Sequence, residues 1–367
     1  MKIAIVHYWL VDMRGGERVL ETLCELFPDA DVITNIYRPE RLSSNLSTRK
    51  VITTFVDRLP FAGRGRAAYL PLMPLALEQV DLRAYDFVIS VESGPAKGVI
   101  PRLDAPHLCY CLSPMRYAWD HYHQSVLELG PIARVGARAA MHYLRAWDQL
   151  SAARVDRFVA ISRHVQRRIQ RYYNRRSDLL APPVRVRDFD GSRRRDDFFL
   201  YVGELVGYKR ADLAVEACES LGVPLVVIGR GPLESVLRKR HARNVTILGW
   251  QPDDVVRDYL SRCRALLFPG EEDFGLTPVE AMASGAPVIA YAAGGVLDTV
   301  VDGLTGVFFN EPTAASLASA MRRFLSMPDF DAEALRTHAT MFDVGPFQER
   351  FKALVDETFA DPRMWRG

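Results

Sequence analysis

The sequence predicts an α/β protein built as two successive domains, and three observations carry that prediction. Short apolar runs alternate with stretches of helical period, the pattern of parallel strands covered by helices on both faces. The alternation breaks once, in a polar, turn-rich stretch after Pro182-Pro183, and then resumes. The 367 residues suffice for two domains of about 150 residues each.

The first apolar run, MKIAIVHYWL, reads as a buried strand, and Arg14-Gly15-Gly16 as the turn that follows it. In ERVLETLCELF, Val19, Leu20, Leu23 and Leu26 recur at helical spacing, which completes a βα unit. DVITNIY, YDFVISVES, HLCYCLS, RFVAISR and DLLAPP then read as further buried strands, and together they define a first domain over 1–182. RVRDFDGSRRRDD is polar and lacks periodicity, so 183–197 reads as a linker. A second series follows over 198–345. Its strands are FFLYVGEL, PLVVIGRG, VTILGW, ALLFPG, PVIAYAAG and a segment near GVFFN. Helices are expected at ADLAVEACESL, near 233–241, from Asp253 and at TPVEAMASG. Two such series are what two facing Rossmann-like domains would produce, with ligand expected in a cleft between them. The last segment, 346–367, places Phe347, Phe351, Leu354 and Val355 on one helical face.

Composition excludes several classes. Hydrophobic residues at 49% and charged residues at 25% exclude a disordered chain and a fibre. No apolar run reaches eighteen residues, and the opening run meets Asp12 and Arg14 without a small-residue cleavage site, which argues against a spanning helix and a signal peptide. Five scattered cysteines without metal-ligand spacing suit buried thiols in a reducing, cytoplasmic compartment. Net charge is +2 overall, but +7 over residues 1–180 and −5 over the remainder. Such a bias suits either an anionic partner (membrane surface, phosphorylated lipid or nucleic acid) or solvated basic helices. Two stretches fit a membrane surface, the first of them fitting a buried helical hairpin nearly as well. Phe61–Leu77 mixes Arg64 and Arg66 with apolar residues, and Arg163, Arg167, Arg171 and Arg175 recur every four residues. Nucleic acid is not expected, because no recognisable binding module is present.

The segment PGEEDFGLTPVEAMASG, 269–285, concentrates the chemistry. Glu272 and Glu280 flank a Phe274-Gly275 turn that opens a helix. Free amides at such a terminus suit a phosphate or a hydroxyl-rich ligand, and Gly275 lets the backbone approach it closely.

This segment resembles the E-x7-E signature of retaining nucleotide-sugar glycosyltransferases of the GT-B fold, glycosyltransferase family 4. Other segments resemble the family in the same order. They are Gly15-Gly16, YVGELVGYKRADLAVEA with Lys209 at the phosphate-clamp position, VVIGRGP, and ILGW. YCLSPMRYAWD and PGEEDFG bring the likeness closest to bacterial mannosyltransferase-like members that build O-antigen or exopolysaccharide. The resemblance implies a GT-B fold whose C-terminal helix packs back on the first domain. It implies that Lys209, with Arg210, neutralises the diphosphate beside Gly16 and Gly203. Glu272 and the amides of Phe274, Gly275 and Leu276 would hold the donor sugar, Glu280 the ribose, and Arg230 would supply a further cation. Arg116, Tyr117, Trp119 and Asp120 would bind the acceptor, since Trp and Tyr stack on sugar faces and Arg grips diphosphate; the alternative for Tyr117 and Trp119 is that each ring packs inside the domain.

The implied activity is transfer of a hexose, mannose from GDP-mannose first, to a lipid-linked oligosaccharide at the inner face of the cytoplasmic membrane. A UDP-hexose donor, or a degenerate sugar-nucleotide-binding subunit, are the alternatives. No cofactor or metal is expected, the nucleotide-sugar being a substrate. Asp188-Phe189-Asp190 forms a DxD, but in the expected linker. Two departures from the family pattern stand out: Glu204 replaces a usual Arg, and Leu112 a usual His.

Overall fold

The computed structural model describes residues 1–92, 94–127, 130–240 and 243–361. The chain divides into two compact units, Met1–Ala181 with Phe347–Gly367, and Pro182–Pro346.

Unit 1 is a parallel sheet of seven strands: β1 (Ile3–His7), β2 (Asp31–Thr34), β3 (Val51–Thr53), β4 (Phe87–Glu92), β5 (His107–Cys111), β6 (Arg157–Ala160) and β7 (Asp178–Leu179). Their order is β3-β2-β1-β4-β5-β6-β7, with Ile3 opposite Phe87 and Leu108 opposite Arg157. Every residue of β1 and β5 is buried, which is why their sequences run apolar without alternation. The helix Gly15–Leu26 covers the sheet with Val19, Leu20 and Leu23, and Glu17 accepts the Arg14 amide at its start, 3.1 Å away. His107 lies in β5 with Nε2 2.8 Å from the Ser90 hydroxyl; burial pushes its pKa down to about 4, which keeps the imidazole neutral. All five cysteines are buried free thiols.

A charged cluster sits inside this unit. Lys97, just after β4, and Asp148, on the helix Pro131–Ser151, are both wholly buried and form an ion pair. Asp148 also accepts the Trp119 indole N–H at 2.8 Å and the Tyr173 hydroxyl at 2.9 Å. The ammonium of Lys97 lies 4.8 Å from the Tyr173 ring. Each charge is therefore compensated, the condition under which buried ions persist.

The helix Val344–Ala360 runs from the end of unit 2 into unit 1, where Phe347 and Phe351 both meet Tyr110 edge-on at 5.7 Å. Arg157 bonds Glu357 at 2.9 Å. Residues 362–367 of the expected final segment lie outside the described residues.

Unit 2 is a parallel sheet of six strands: β8 (Phe199–Val202), β9 (Leu225–Ile228), β10 (Val245–Gly249), β11 (Ala265–Phe268), β12 (Val288–Tyr291) and β13 (Gly306–Phe309). The order is β10-β9-β8-β11-β12-β13. Its core joins Phe199, Leu225, Leu267, Ile289 and Val307 of the sheet to Leu213 and Leu317 of the covering helices. Residues 183–197 are built into this unit: the Val184 amide bonds the Phe342 carbonyl at 2.8 Å, and Arg195 donates to the carbonyls of Leu260, Ser261 and Ser284. The DxD is absorbed there, since Asp190 accepts both the amide and the hydroxyl of Ser192.

Candidate functional site

In unit 2 the strand order reverses between β8 and β11, which run side by side with Leu200 opposite Leu266. Open α/β sheets bind ligands at the carboxyl ends of the strands at such a switch point. The two segments that leave β8 and β11 are those singled out by sequence, Gly203–Arg210 and Gly270–Glu280.

Their side chains meet. Lys209 Nζ lies 3.0 Å from Glu272 Oε1, with the two side chains 19% and 22% exposed. Burial is the largest single influence and works against the Lys209 charge, but Glu272, Tyr208 and Glu204 together outweigh it, so the ammonium pKa stands above the ordinary lysine value. Glu204, the departure from the family pattern, thus supports the cation beside it. The local backbone explains the closeness. A Cβ on Gly270 would fall 2.7 Å from the Lys209 Cα, so only glycine lets the end of β11 reach the lysine turn. Tyr201, buried in β8, points its hydroxyl at the Lys209 carbonyl, 3.4 Å away.

Beyond Glu272 the chain turns at Gly275, whose φ of +88° starts the helix Leu276–Ala283. Phe274 is buried against Phe342, ring centroids 5.8 Å apart, which anchors that turn. The Glu272 carbonyl accepts the Gly295 amide at 2.8 Å, tying the segment to the loop after β12. Glu280 lies half-buried on the helix, four residues past its start, and Leu276 is half-buried at its first position.

Other expected residues are placed differently. Arg210, at φ +53°, turns its guanidinium onto Asp212, 2.9 Å away, and the Pro312 carbonyl, so it is not joined to the Lys209–Glu272 pair. Arg230, exposed after β9, lies 5.9 Å above the Trp250 ring. Trp250 was not singled out by sequence although it is 61% exposed at the end of β10. An exposed tryptophan at a strand's carboxyl end was the available signal.

In unit 1, Gly16 opens the helix after β1, and a Cβ there would stand 3.0 Å from Leu112 and 3.5 Å from His7. The expected acceptor residues are largely engaged internally. Trp119 is held by Asp148 and stacks on Tyr172 at 4.6 Å. Asp120 pairs with Arg168 and accepts the Tyr172 hydroxyl at 2.5 Å. Arg168, buried and unforeseen, also donates to the Ser113 hydroxyl at 2.7 Å and the Pro114 carbonyl, which clamps the 113–120 turn. Tyr117 packs half-buried on Met115, Ala118 and Trp147, and Arg116 is half-buried. Of the expected basic stripe, Arg175 is turned inward onto the carbonyls of Ala152 and Val155. None of the described helices is long and apolar enough to cross a membrane.

Comparison with known proteins agrees with this geometry. Residues 185–339 match the family described as Glycosyl transferases group 1. Glycogen synthase of Pseudomonas paraeruginosa is 34% identical over 186 residues, 46% of this chain and 36% of that protein. O-antigen chain mannosyltransferase C of Escherichia coli is 33% identical over 106 residues, 27% of this chain and 29% of that protein. The matched stretches therefore span well under two thirds of these relatives. Among solved structures, Anabaena Alr3699/HepE in complex with UDP superposes with a TM-score of 0.72 at 14% identity, over 97% of this chain and 100% of that one. With its two parallel sheets the chain has the GT-B fold, and residues 185–339 of its second unit are similar to the group 1 glycosyltransferases.

Proposed function

We propose that the protein transfers a hexose, with retention of anomeric configuration, from a nucleotide-sugar to a lipid-linked saccharide at the cytoplasmic face of a membrane. The observation that carries this reading is the Lys209–Glu272 pair at the β8/β11 switch point, beside a helix N-terminus opened by Gly275. In the free protein the two side chains neutralise each other; a donor supplies a diphosphate for the lysine and sugar hydroxyls for the carboxylate.

Transfer breaks the bond between the anomeric carbon and the diphosphate oxygen and forms one to the acceptor oxygen. The acceptor proton passes to the departing phosphate, and the nucleoside diphosphate leaves. Negative charge grows on the diphosphate, where a fixed Lys209 cation lowers the barrier, while Glu272 and the amides of Phe274, Gly275 and Leu276 hold the donor sugar. Glu280 accepts hydrogen bonds from the ribose, and Trp250 with Arg230 offers a stacking face to the base. No resident metal or other cofactor is invoked.

Mannose from GDP-mannose is the donor we favour, in cell-surface polysaccharide synthesis, because the matched E. coli protein is an O-antigen chain mannosyltransferase. A uridine donor is the second reading, since the Anabaena neighbour was crystallised with UDP. The test is nucleoside diphosphate release from GDP-mannose, UDP-glucose and UDP-N-acetylglucosamine in the presence of polyprenyl diphosphate-linked saccharides. Release from GDP-mannose alone, dependent on acceptor, is expected. Release from a UDP-sugar alone would move the donor to uridine, and no release from any would remove the transferase reading.

A further inference from the structure

The helix Pro131–Ser151 in unit 1 has a packed face and, opposite it among the described residues, an exposed and largely apolar one, with His142 among the apolar side chains. Leu144, Trp147 and Asp148 point into the unit and are buried. On the opposite side Val135, Ala139, Ala146 and Leu150 are exposed, Val135 at 69% and Leu150 at 70%. Their spacing of four, seven and four residues, at about 100° per residue, aligns them in one stripe along the helix. Arg134, Arg138 and Arg145 fall along one flank of that stripe by the same arithmetic. The single acid of the helix, Asp148, is on the buried side. The neighbouring turn Arg66–Leu72 packs beside this helix and exposes Leu72. One turn before it, Phe61 is 83% exposed at a positive φ of +57°, a conformation that costs an aromatic residue energy and needs a reason.

We propose that this outer face is the membrane-docking surface of the protein, with the helix lying in the plane of an anionic bilayer. The inference rests on the reading of a lipid-linked acceptor and replaces the arginines of 163–175 as the principal contact. Val135, Ala139, Ala146 and Leu150 enter the boundary between headgroups and acyl chains, while Arg134, Arg138 and Arg145 meet lipid phosphates. Charge selects the occupant. A second copy of this face would bring arginines but no exposed carboxylate of the helix to meet them, whereas an anionic bilayer supplies the opposite charge along its whole surface.

The test is co-sedimentation of the full-length protein with vesicles of phosphatidylcholine, with and without phosphatidylglycerol. The wild type should partition onto the anionic vesicles only, and less as salt is raised. The Val135→Asp, Leu150→Asp double variant should lose about tenfold or more of that partitioning. Arg138→Gln should lose about fivefold, the equivalent of one interfacial cation. Thermal unfolding at the wild-type midpoint would show that the variants fold, both positions being exposed. Absence of partitioning at low salt, or equal partitioning by the double variant, would overturn the proposal. So would a wild-type dimer in sedimentation velocity that the double variant abolishes, because that assigns the face to a second copy. Vesicle binding without any sugar transfer would count against the transferase reading alone.

Discussion

Replacing Lys209 by alanine should lower the rate of sugar transfer by about 10²- to 10³-fold, the loss that follows removal of one fixed charge-stabilising group from an active site. The effect is expected in kcat as well as in KM, because negative charge on the diphosphate is greater in the transition state than in the bound donor. Lys209→Arg should recover part of it, since the cation is kept while its geometry changes. Lys209→Ala also leaves Glu272 without its partner, so nucleoside diphosphate binding should weaken while nucleoside binding changes little. Steady-state kinetics with the preferred donor measure the first effect and calorimetry the second. Wild-type turnover by Lys209→Ala would mean that the diphosphate is neutralised elsewhere. Arg210 is a weak substitute, because its guanidinium is already committed to Asp212.

The largest stability effect is expected at Asp148. Alanine there strands the buried Lys97 ammonium and removes the acceptor of Trp119 and Tyr173 together. Breaking one side of a buried pair costs about 3–5 kcal/mol. Unit 1 should therefore unfold at markedly lower denaturant concentration, and Lys97→Met alone should do much the same. The double variant Lys97→Met, Asp148→Leu should be far milder than the sum of the two, since no unpaired charge remains. Additive losses in a denaturation series would show that the ion pair is not the link between these residues. Through Trp119 the same carboxylate steadies the turn that Arg168 clamps at Ser113, Pro114 and Asp120, so damage here also reaches residues proposed to face the acceptor.

Most of the architecture was legible because both sheets are parallel and covered on both faces. Their strands are continuous apolar runs such as IAIVH and HLCYC, and helical periods lie between them. β3 escaped, since Val51–Thr53 is three half-buried residues at an edge and supplies no run. The segments proposed to hold the donor were legible for a different reason. Their residues are local in sequence, and glycine, glutamate and a rare lysine mark a turn where backbone and charge meet a ligand. The acceptor side was harder to read. Trp119 and Asp120 are residue types that suit a sugar and a diphosphate, yet their partners, Asp148, Arg168 and Tyr172, stand 29 to 52 positions away. No local pattern announces such a pairing. Lys97 is one of six lysines in the chain, and nothing local marks it as buried. Its partner lies 51 residues on, in a helix whose basic composition pointed to solvent.

Trp250 illustrates the reverse failure. Its segment, ILGW, resembles the family, but nothing local in the sequence marks the ring as exposed. Its exposure beside Arg230 separates it from a core tryptophan.

The central claim is that the carboxyl end of the unit 2 sheet holds a nucleotide-sugar between Lys209, Glu272 and Glu280. Titration calorimetry with GDP, UDP and ADP and their hexose conjugates, on the wild type and on Glu280→Ala, tests it most directly. Saturable binding of one nucleotide family by the wild type is expected. Glu280→Ala, which would remove the hydrogen bonds proposed to the ribose, should bind about tenfold or more weakly. Binding of none of these nucleotides, or equal binding by both proteins, would contradict it.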